Sequence, residues 1–169
     1  YCILMEELDR ICPATATIIG AHVGIAAMSM HLDGSPEIKK RYLPDITSGK
    51  KIAAFGLTEP NAGSDAAGIQ LRATLEGDSY MLDGQKMWIT NGSIADIAIV
   101  WARGEEGIMG FVLEKGMRGF EARTIHSEMS LRASITSELY FDNVRVPEAN
   151  RLPNIVGLKG PLGCLTQAR

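Results

Sequence analysis

The chain has 169 residues, of which 46% are hydrophobic and 22% are charged, and this composition is typical of a globular protein with a substantial core. Its 17 basic and 20 acidic residues give a net charge of −3, which excludes the basic surface that nucleic-acid binding requires. The three cysteines form no CxxC pair, and the three histidines show no metal-ligand spacing. We therefore predict reduced thiols and no metal site, as expected in a bacterial cytoplasm or a mitochondrial matrix.

The first fifty residues have a helical pattern. Pro13 suits the first turn of a helix that runs through Met30 and stops at Asp33-Gly34. A second helix begins at Ser35-Pro36, where serine is a good N-cap and proline a good first residue. We expect Leu43-Pro44 and Ser48-Gly49 to end it, because proline cannot continue the helical hydrogen bonds.

The segment Ile11–Met30 is apolar enough to resemble a membrane span. It contains Pro13, Gly20 and Gly24, and no basic residue closely follows it. A helix that is apolar on all sides can also lie inside a larger protein. We interpret this segment as a buried helix and predict no membrane span.

From Lys51 to about Pro147 short apolar runs alternate with turn dipeptides such as Asp83-Gly84 and Asn91-Gly92. This spacing is typical of an antiparallel sandwich or barrel. The predicted strands are Ile52–Leu57, Leu71–Leu75, Tyr80–Thr90, Ile97–Arg103, Ile108–Leu113, Phe120–Thr124 and Ser137–Val146.

The fold class predicted from these patterns is α+β. Residues 1–50 are interpreted as the end of an N-terminal helical domain and residues 51–150 as a middle β domain. Residues 151–169 form a linker and the start of a C-terminal helical domain, since Gly157–Arg169 resembles the opening of a helix. We expect the chain to be an internal fragment of a three-domain protein.

The loop Gly56–Gly68 reads Gly-Leu-Thr-Glu-Pro-Asn-Ala-Gly-Ser-Asp-Ala-Ala-Gly and follows an apolar strand. Such a loop can present successive backbone N–H groups to an anionic ligand, and Thr58 and Ser64 add hydroxyl groups. It can equally be an ordinary surface loop. The chain contains neither GxGxxG nor a complete phosphate-binding loop.

A second motif, Lys-Met-Trp-Ile-Thr-Asn-Gly, occupies residues 86–92. Side chains alternate along a strand, so we expect Trp88 and Thr90 on one face and Met87 and Ile89 on the other. One aromatic ring and one hydroxyl on a common face suit a flat heterocycle. The alternative is that Trp88 is simply a large core residue.

In this order the two motifs resemble the flavin-binding residues of the acyl-CoA dehydrogenase family, over about Leu32 to Arg169. The resemblance implies FAD as cofactor. Glu59 and Asp65 are expected to brace the loop and not to perform acid–base chemistry. The residues expected to contact FAD are Phe55, Leu57, Thr58, Gly63, Ser64, Trp88, Ile89 and Thr90, and Ser64 is also expected to approach the acyl-CoA.

The C-terminal residues are closest to the glutaryl-CoA dehydrogenase branch, and this implies substrate contacts from Leu165, Thr166 and Arg169. Members of that branch hold the distal carboxylate of their substrate with an Arg in the N-terminal helices. The corresponding place falls near Ala16-Thr17, and no Arg lies between Arg10 and Arg41. A buried carboxylate without a partner is costly, so we favour a monocarboxylic acyl group.

The activity implied is α,β-dehydrogenation of an acyl-CoA thioester, with an electron-transferring flavoprotein as acceptor and a homotetrameric protein. The catalytic base of the family is a Glu in the C-terminal helical domain, and no Glu of this chain matches it. We therefore assign no catalytic residue and expect residues 1–169 alone to be inactive. The alternatives are a relative with oxidase or hydroxylase chemistry, or a β-sandwich binding module without catalysis.

Overall fold

Helices form the N-terminal part of the molecule. The computed structural model describes residues 2–168, except the side chain of residue 168. The elements in this part are α1 (Cys2–Ile11), α2 (Pro13–Ile19), a π-helix (Gly20–Ala27), α3 (Met28–Asp33) and α4 (Pro36–Thr47). The predicted starts are confirmed: Pro13 is the first residue of α2, and the Ser35 hydroxyl accepts a hydrogen bond from the Ile38 N–H at 3.2 Å.

The predicted stop at Leu43-Pro44 is wrong, because α4 continues through Pro44 to Thr47. A proline here removes one backbone donor near the end of the helix. The break comes one turn later, at Ser48-Gly49, where Gly49 has a φ of 73°.

Seven strands follow, and the bounds of each lie within one residue of the prediction. They are β1 (Ala53–Gly56), β2 (Arg72–Glu76), β3 (Ser79–Thr90), β4 (Ile97–Gly104), β5 (Gly107–Glu114), β6 (Phe120–Thr124) and β7 (Thr136–Pro147). Short 3-10 helices occupy Ala66–Gly68 and Glu148–Asn150, and α5 spans Lys159–Ala168.

The seven strands form one curled, mixed sheet. Strand β3 pairs antiparallel with β2 and β7, β7 with β6, and β4 with β5. Strand β4 also runs parallel to β1 and, at one position, to β2. The predicted class, a β domain flanked by helices, is confirmed, but the sheet is not purely antiparallel. Turn dipeptides predict which neighbouring strands form hairpins, whereas a parallel pair joins strands that are distant in sequence.

Strand β4 lies at the centre of the core because both of its faces are covered. Ile97, Ile99 and Trp101 pack in the cluster that the helices form with the sheet. Ala98 and Val100 pack in a second cluster, inside the curl of the sheet. This second cluster includes Leu82, Phe111, Leu139, Phe141, Val144 and Val146. The continuous apolar sequence of β4 follows from this two-sided burial.

The segment after the last 3-10 helix covers the free edge of β5. The Leu152 N–H donates to the Gly110 carbonyl at 2.9 Å, and the Gly157 N–H donates to the Ile108 carbonyl at 2.7 Å. An edge strand protected in this way cannot pair with another chain. The same segment leads into α5, which packs against the π-helix and α3.

The residues from Pro13 to Asp33 form one continuous helix of 21 residues with a mean hydropathy of 1.3. By length and composition alone it could cross a membrane, and 39% of its apolar window is buried in the structure. Its central π-helical part contacts β1, α4 and α5. This packing accounts for part of its apolar surface, and the absence of a membrane span stays a prediction.

Candidate functional site

A cavity of about 200 Å³ lies where the π-helix, the end of β1, the end of β3 and α5 meet. It is enclosed by apolar and aromatic side chains together with two threonines. Six of the eight residues predicted to contact FAD line it, and so does one residue predicted to contact the substrate. The lining residues are Ala21, Ile25, Phe55, Leu57, Thr58, Trp88, Ile89, Thr90 and Leu165.

The two motifs meet through a backbone hydrogen bond, in which the Met87 N–H donates to the Thr58 carbonyl at 2.9 Å. Thr58 is the second residue after β1, and Met87 lies near the end of β3. This bond fixes the loop after β1 against the strand that carries the second motif. Segments that are 29 residues apart in sequence thus form two walls of one cavity.

A β-bulge in β3 determines how Trp88 is presented. The pairing of β3 with β7 shifts register between Lys86 and Ile89, and Trp88 has a φ of 61°. The expected alternation of side chains fails here, because Trp88, Ile89 and Thr90 all line the cavity. Trp88 is also 56% exposed, which rules out the alternative that it is a core residue. A bulky residue in the left-handed region is strained, and such strain is common at functional sites.

We expect W88G to be more stable than W88A by about 1 kcal/mol, because only glycine adopts a φ of 61° without strain. Both variants lose the same ring, so their difference reports the backbone alone. The measurement is urea unfolding followed by circular dichroism. The matched pair is M87G and M87A at the neighbouring residue, which has an ordinary φ. Here we expect M87A to be the more stable variant. If the glycine and alanine variants had the same order of stability at both positions, this would contradict backbone strain at Trp88.

Thr58 and Thr90 supply the polar groups of the cavity. Both side chains are half-buried, and within residues 2–168 neither hydroxyl makes a hydrogen bond to another protein group. A free hydroxyl at the wall of an apolar cavity can donate to, or accept from, a ligand edge. The site therefore combines flat apolar walls with two available hydroxyls.

Three predicted contact residues lie elsewhere, and a fourth is not described. Gly63 and Ser64 are exposed in the loop beyond the Glu59–Ala62 bridge and do not line the cavity. Thr166 is exposed, and its hydroxyl donates to the Leu162 carbonyl at 2.8 Å within α5. Arg169 lies outside the described residues. The roles assigned to these four residues stay predictions.

A buried ion pair supports the cavity from behind. The Lys86 ammonium donates to the Leu57 carbonyl at 2.9 Å and to Glu59 Oε1 at 2.8 Å, and the two side chains are 0% and 4% exposed. The Glu59 carboxylate also accepts the backbone N–H groups of Gln70 and Leu71, at 2.6 and 3.0 Å. Glu59 thus braces the loop, as expected from the sequence.

No role was predicted for Lys86 from the sequence. Its burial could have been predicted from the alternation of side chains along a strand. Lys86 is four residues from the buried Leu82, so both side chains lie on the inner face. A lysine at an inner position is almost never buried without a partner.

Burial lowers the pKa of Lys86 to about 8, from an ordinary value of 10.5, although the ion pair with Glu59 opposes this shift. Between these values the unfolded chain binds more protons than the folded one, so this group makes stability rise with pH. We expect the unfolding free energy of the wild type, relative to K86M, to rise by about 1.4 kcal/mol per pH unit above about pH 8. Urea titrations at about pH 7, 8.5 and 9.5 test this. If the difference in unfolding free energy between the wild type and K86M did not change with pH, this would contradict the lowered pKa of Lys86.

The π-helix was not predicted from sequence, and it holds the helical wall of the cavity. Its His22 is buried, with Nε2 3.0 Å from the Ile46 carbonyl and Nδ1 accepting from the Ala53 N–H at 2.9 Å. These two bonds fix the ring as the neutral Nε2–H tautomer and tie the helix to the start of β1. The Asn91 amide donates to the Ile18 carbonyl at 3.2 Å, just before the π-helix. π-Helical turns are frequent at functional sites.

A larger cleft of about 1110 Å³ adjoins the small cavity and shares Ala21, Ile25 and Thr90 with it. Its wall along the helix consists of Ile25 and four small residues, which include Ala16 and Gly20. The charged residues that line it are Glu6, Asp9 and Arg10 of α1. The Arg10 side chain is 70% exposed and lies 3.4 Å from Glu7. Within residues 2–168, no group of three or more His, Cys, Asp or Glu side chains could hold a metal ion.

Two family models match the chain. The N-terminal domain of acyl-CoA dehydrogenase matches residues 1–50, and the middle domain of acyl-CoA dehydrogenase matches residues 54–144. The second match includes both motifs and every strand that lines the cavity.

Individual relatives agree with these matches. The short-chain-specific acyl-CoA dehydrogenase of Clostridium acetobutylicum is 40% identical over 95% of this chain and 42% of its own length. A glutaryl-CoA dehydrogenase structure from Mycobacterium smegmatis is 50% identical, with a TM-score of 0.95, over 97% of this chain and 42% of its own. A second such structure from the same organism, in complex with FADH2, is 44% identical with a TM-score of 0.89, over the same shares of the two chains.

The chain spans about two fifths of the length of these relatives. A middle-domain match over more than half of the chain, together with the fold, is sufficient to assign the family. The chain belongs to the acyl-CoA dehydrogenase family, and its structural neighbours include glutaryl-CoA dehydrogenases.

Proposed function

We propose that the protein binds FAD in the small cavity and catalyses the α,β-dehydrogenation of an acyl-CoA thioester. The observation that carries this proposal is the convergence of Phe55, Leu57 and Thr58 with Trp88, Ile89 and Thr90 around one cavity. These are the residues that the family resemblance assigns to the flavin. The relative that contains FADH2 supports the same cofactor.

The residues present fit a flavin. An isoalloxazine ring needs apolar contact on its faces and hydrogen bonds at its edge. Phe55, Leu57, Trp88 and Ile89 would supply the contact, and the free hydroxyls of Thr58 and Thr90 the edge bonds. Gly63 and Ser64, exposed in the same loop, would face the pyrophosphate.

We propose that the acyl group lies in the larger cleft, because this cleft adjoins the flavin cavity along Ala21 and Ile25. The small residues there leave room for it. Among the described residues that line the cleft, a distal carboxylate would meet Glu6 and Asp9 and one cation, Arg10, which is exposed and already close to Glu7. An uncharged acyl group is therefore the favoured substrate, despite the similarity to glutaryl-CoA dehydrogenases.

A flavin held by these residues would supply the hydride acceptor for the β-carbon of the substrate. The task of this chain is to orient the ring, to exclude water with apolar walls and to hold the ring edge with two hydroxyls. The α-proton needs a carboxylate base, and no carboxylate within residues 2–168 lines the small cavity. We therefore propose a base from outside these residues, and an electron-transferring flavoprotein and a homotetramer as implied by the family.

The test is the visible spectrum of the full product of the gene, before and after anaerobic addition of butyryl-CoA. A bound flavin that bleaches would support the proposed reaction. A flavin that stays oxidised with a panel of acyl-CoA thioesters would favour oxidase or hydroxylase chemistry at the same site. A folded protein without affinity for FAD would overturn the proposal. Residues 1–169 alone are expected to show no dehydrogenation.

A further inference from the structure

Lys86 and Glu59 form a link between the two walls of the cavity. Lys86 belongs to β3, two residues before Trp88, and its ammonium holds the Leu57 carbonyl after β1. Glu59 extends this link to Gln70 and Leu71, just before β2. One buried side chain thus touches both segments that supply the proposed flavin contacts.

The link lies next to the strained part of β3. The register shift begins at Lys86, Met87 binds the Thr58 carbonyl, and Trp88 takes its positive φ immediately afterwards. Lys86 and Met87 therefore hold the consecutive carbonyls of Leu57 and Thr58. Any shift of the ammonium would move the loop relative to Trp88.

A fold does not need a buried ion pair for stability. Removing two charges from water is costly, and uncharged replacements of similar size are often equally stable. Packing alone therefore does not explain why a charged lysine is buried in the core. The contacts of this one lead to cavity-lining residues.

We propose that Lys86 and Glu59 are positioning residues for the flavin, which set the distance between the loop after β1 and the Trp88–Thr90 wall. The inference rests on the proposed FAD site. Neither side chain lines the cavity, so their effect is exerted through Leu57, Thr58 and Trp88. The pair determines flavin affinity and the electronic environment of the ring, and not only the stability of the fold.

The decisive variant is K86M/E59Q in the full product of the gene. It contains no buried charge, and the Gln carbonyl can still accept from one of the two N–H groups, that of Gln70 or that of Leu71. If the pair only stabilises the fold, a folded double variant binds FAD as the wild type does. We expect instead at least about tenfold weaker FAD binding, a shifted visible band and a changed midpoint potential.

Two further variants make the test specific. K86R keeps the cation and is expected to retain more FAD than K86M, with every protein compared at a temperature where circular dichroism shows it folded. D78N/R145Q removes an ion pair at the exposed surface and should leave FAD binding unchanged. Wild-type affinity, spectrum and potential in K86M/E59Q would overturn the inference. Absence of FAD from the wild type would instead overturn the proposed function.

Discussion

The free energy of unfolding of the K86M variant is expected to be about 3–5 kcal/mol lower than that of the wild type. The substitution keeps the length of the side chain but removes the only cation paired with Glu59 in the described part of the chain. The Glu59 carboxylate, 4% exposed, would keep its two backbone donors and lose its counter-charge. Burying a charge without its partner is far more costly than burying neither.

Urea titration followed by circular dichroism measures this loss, and the K86M/E59Q variant is its matched control. Since the double variant buries no charge, part of the lost stability should return, while one backbone N–H of Gln70 or Leu71 loses its acceptor. R145Q, which breaks an exposed pair with Asp78, should leave the free energy of unfolding nearly unchanged. A double variant as unstable as K86M would show that lost packing, and not the unpaired carboxylate, causes the loss.

The A21F variant is expected to lower kcat/KM for long acyl-CoA substrates by about 100-fold or more, with a much smaller effect on butyryl-CoA. Ala21 lines both the small cavity and the larger cleft, so a phenyl ring there would fill the space between the proposed flavin and the end of the acyl chain. Loss of the contacts of one methylene group changes specificity by about 10- to 200-fold. A blocked cleft would remove the contacts of several methylene groups of a long acyl chain. Steady-state kinetics across a series of chain lengths measure the effect.

V23F is the matched control for A21F. Val23 lies on the same π-helix and is 37% exposed, but it lines neither space. The kinetics of V23F should therefore follow the wild type at every chain length. Flavin content, read from the visible absorbance, must be equal in the variants compared. An A21F profile that falls equally at all chain lengths would contradict an acyl group in this cleft.

Local sequence signals predicted the secondary structure closely. Turn dipeptides such as Asp83-Gly84 and Asn91-Gly92 separate apolar runs of strand length, and they placed all seven strands. Ser35 and Pro36 placed the start of α4 for an equally local reason, since a cap needs only its own next turn. The resemblance of the two motifs named eight FAD contacts, and six of them are among the nine residues that line the small cavity.

Two predictions from local rules, on the end of a helix and on alternation along a strand, failed. Pro44 did not end α4, and the alternation of β3 broke at Trp88. The π-helix had no recognisable signal in the sequence, and its contacts with β1, α4 and α5 are to segments distant along the chain. His22 is an example: its two partners, Ile46 and Ala53, lie 24 and 31 residues away.

The sequence by itself determined the helical and strand segments, the two motifs and the family. Only the tertiary structure decided that β1 runs parallel to β4, that Lys86 pairs with Glu59 and that Trp88 turns towards the cavity. The physical reason is the distance along the chain over which each kind of interaction acts. Caps, turns and alternation act within a few residues, whereas a buried charge and a strained backbone angle depend on partners that folding alone brings together.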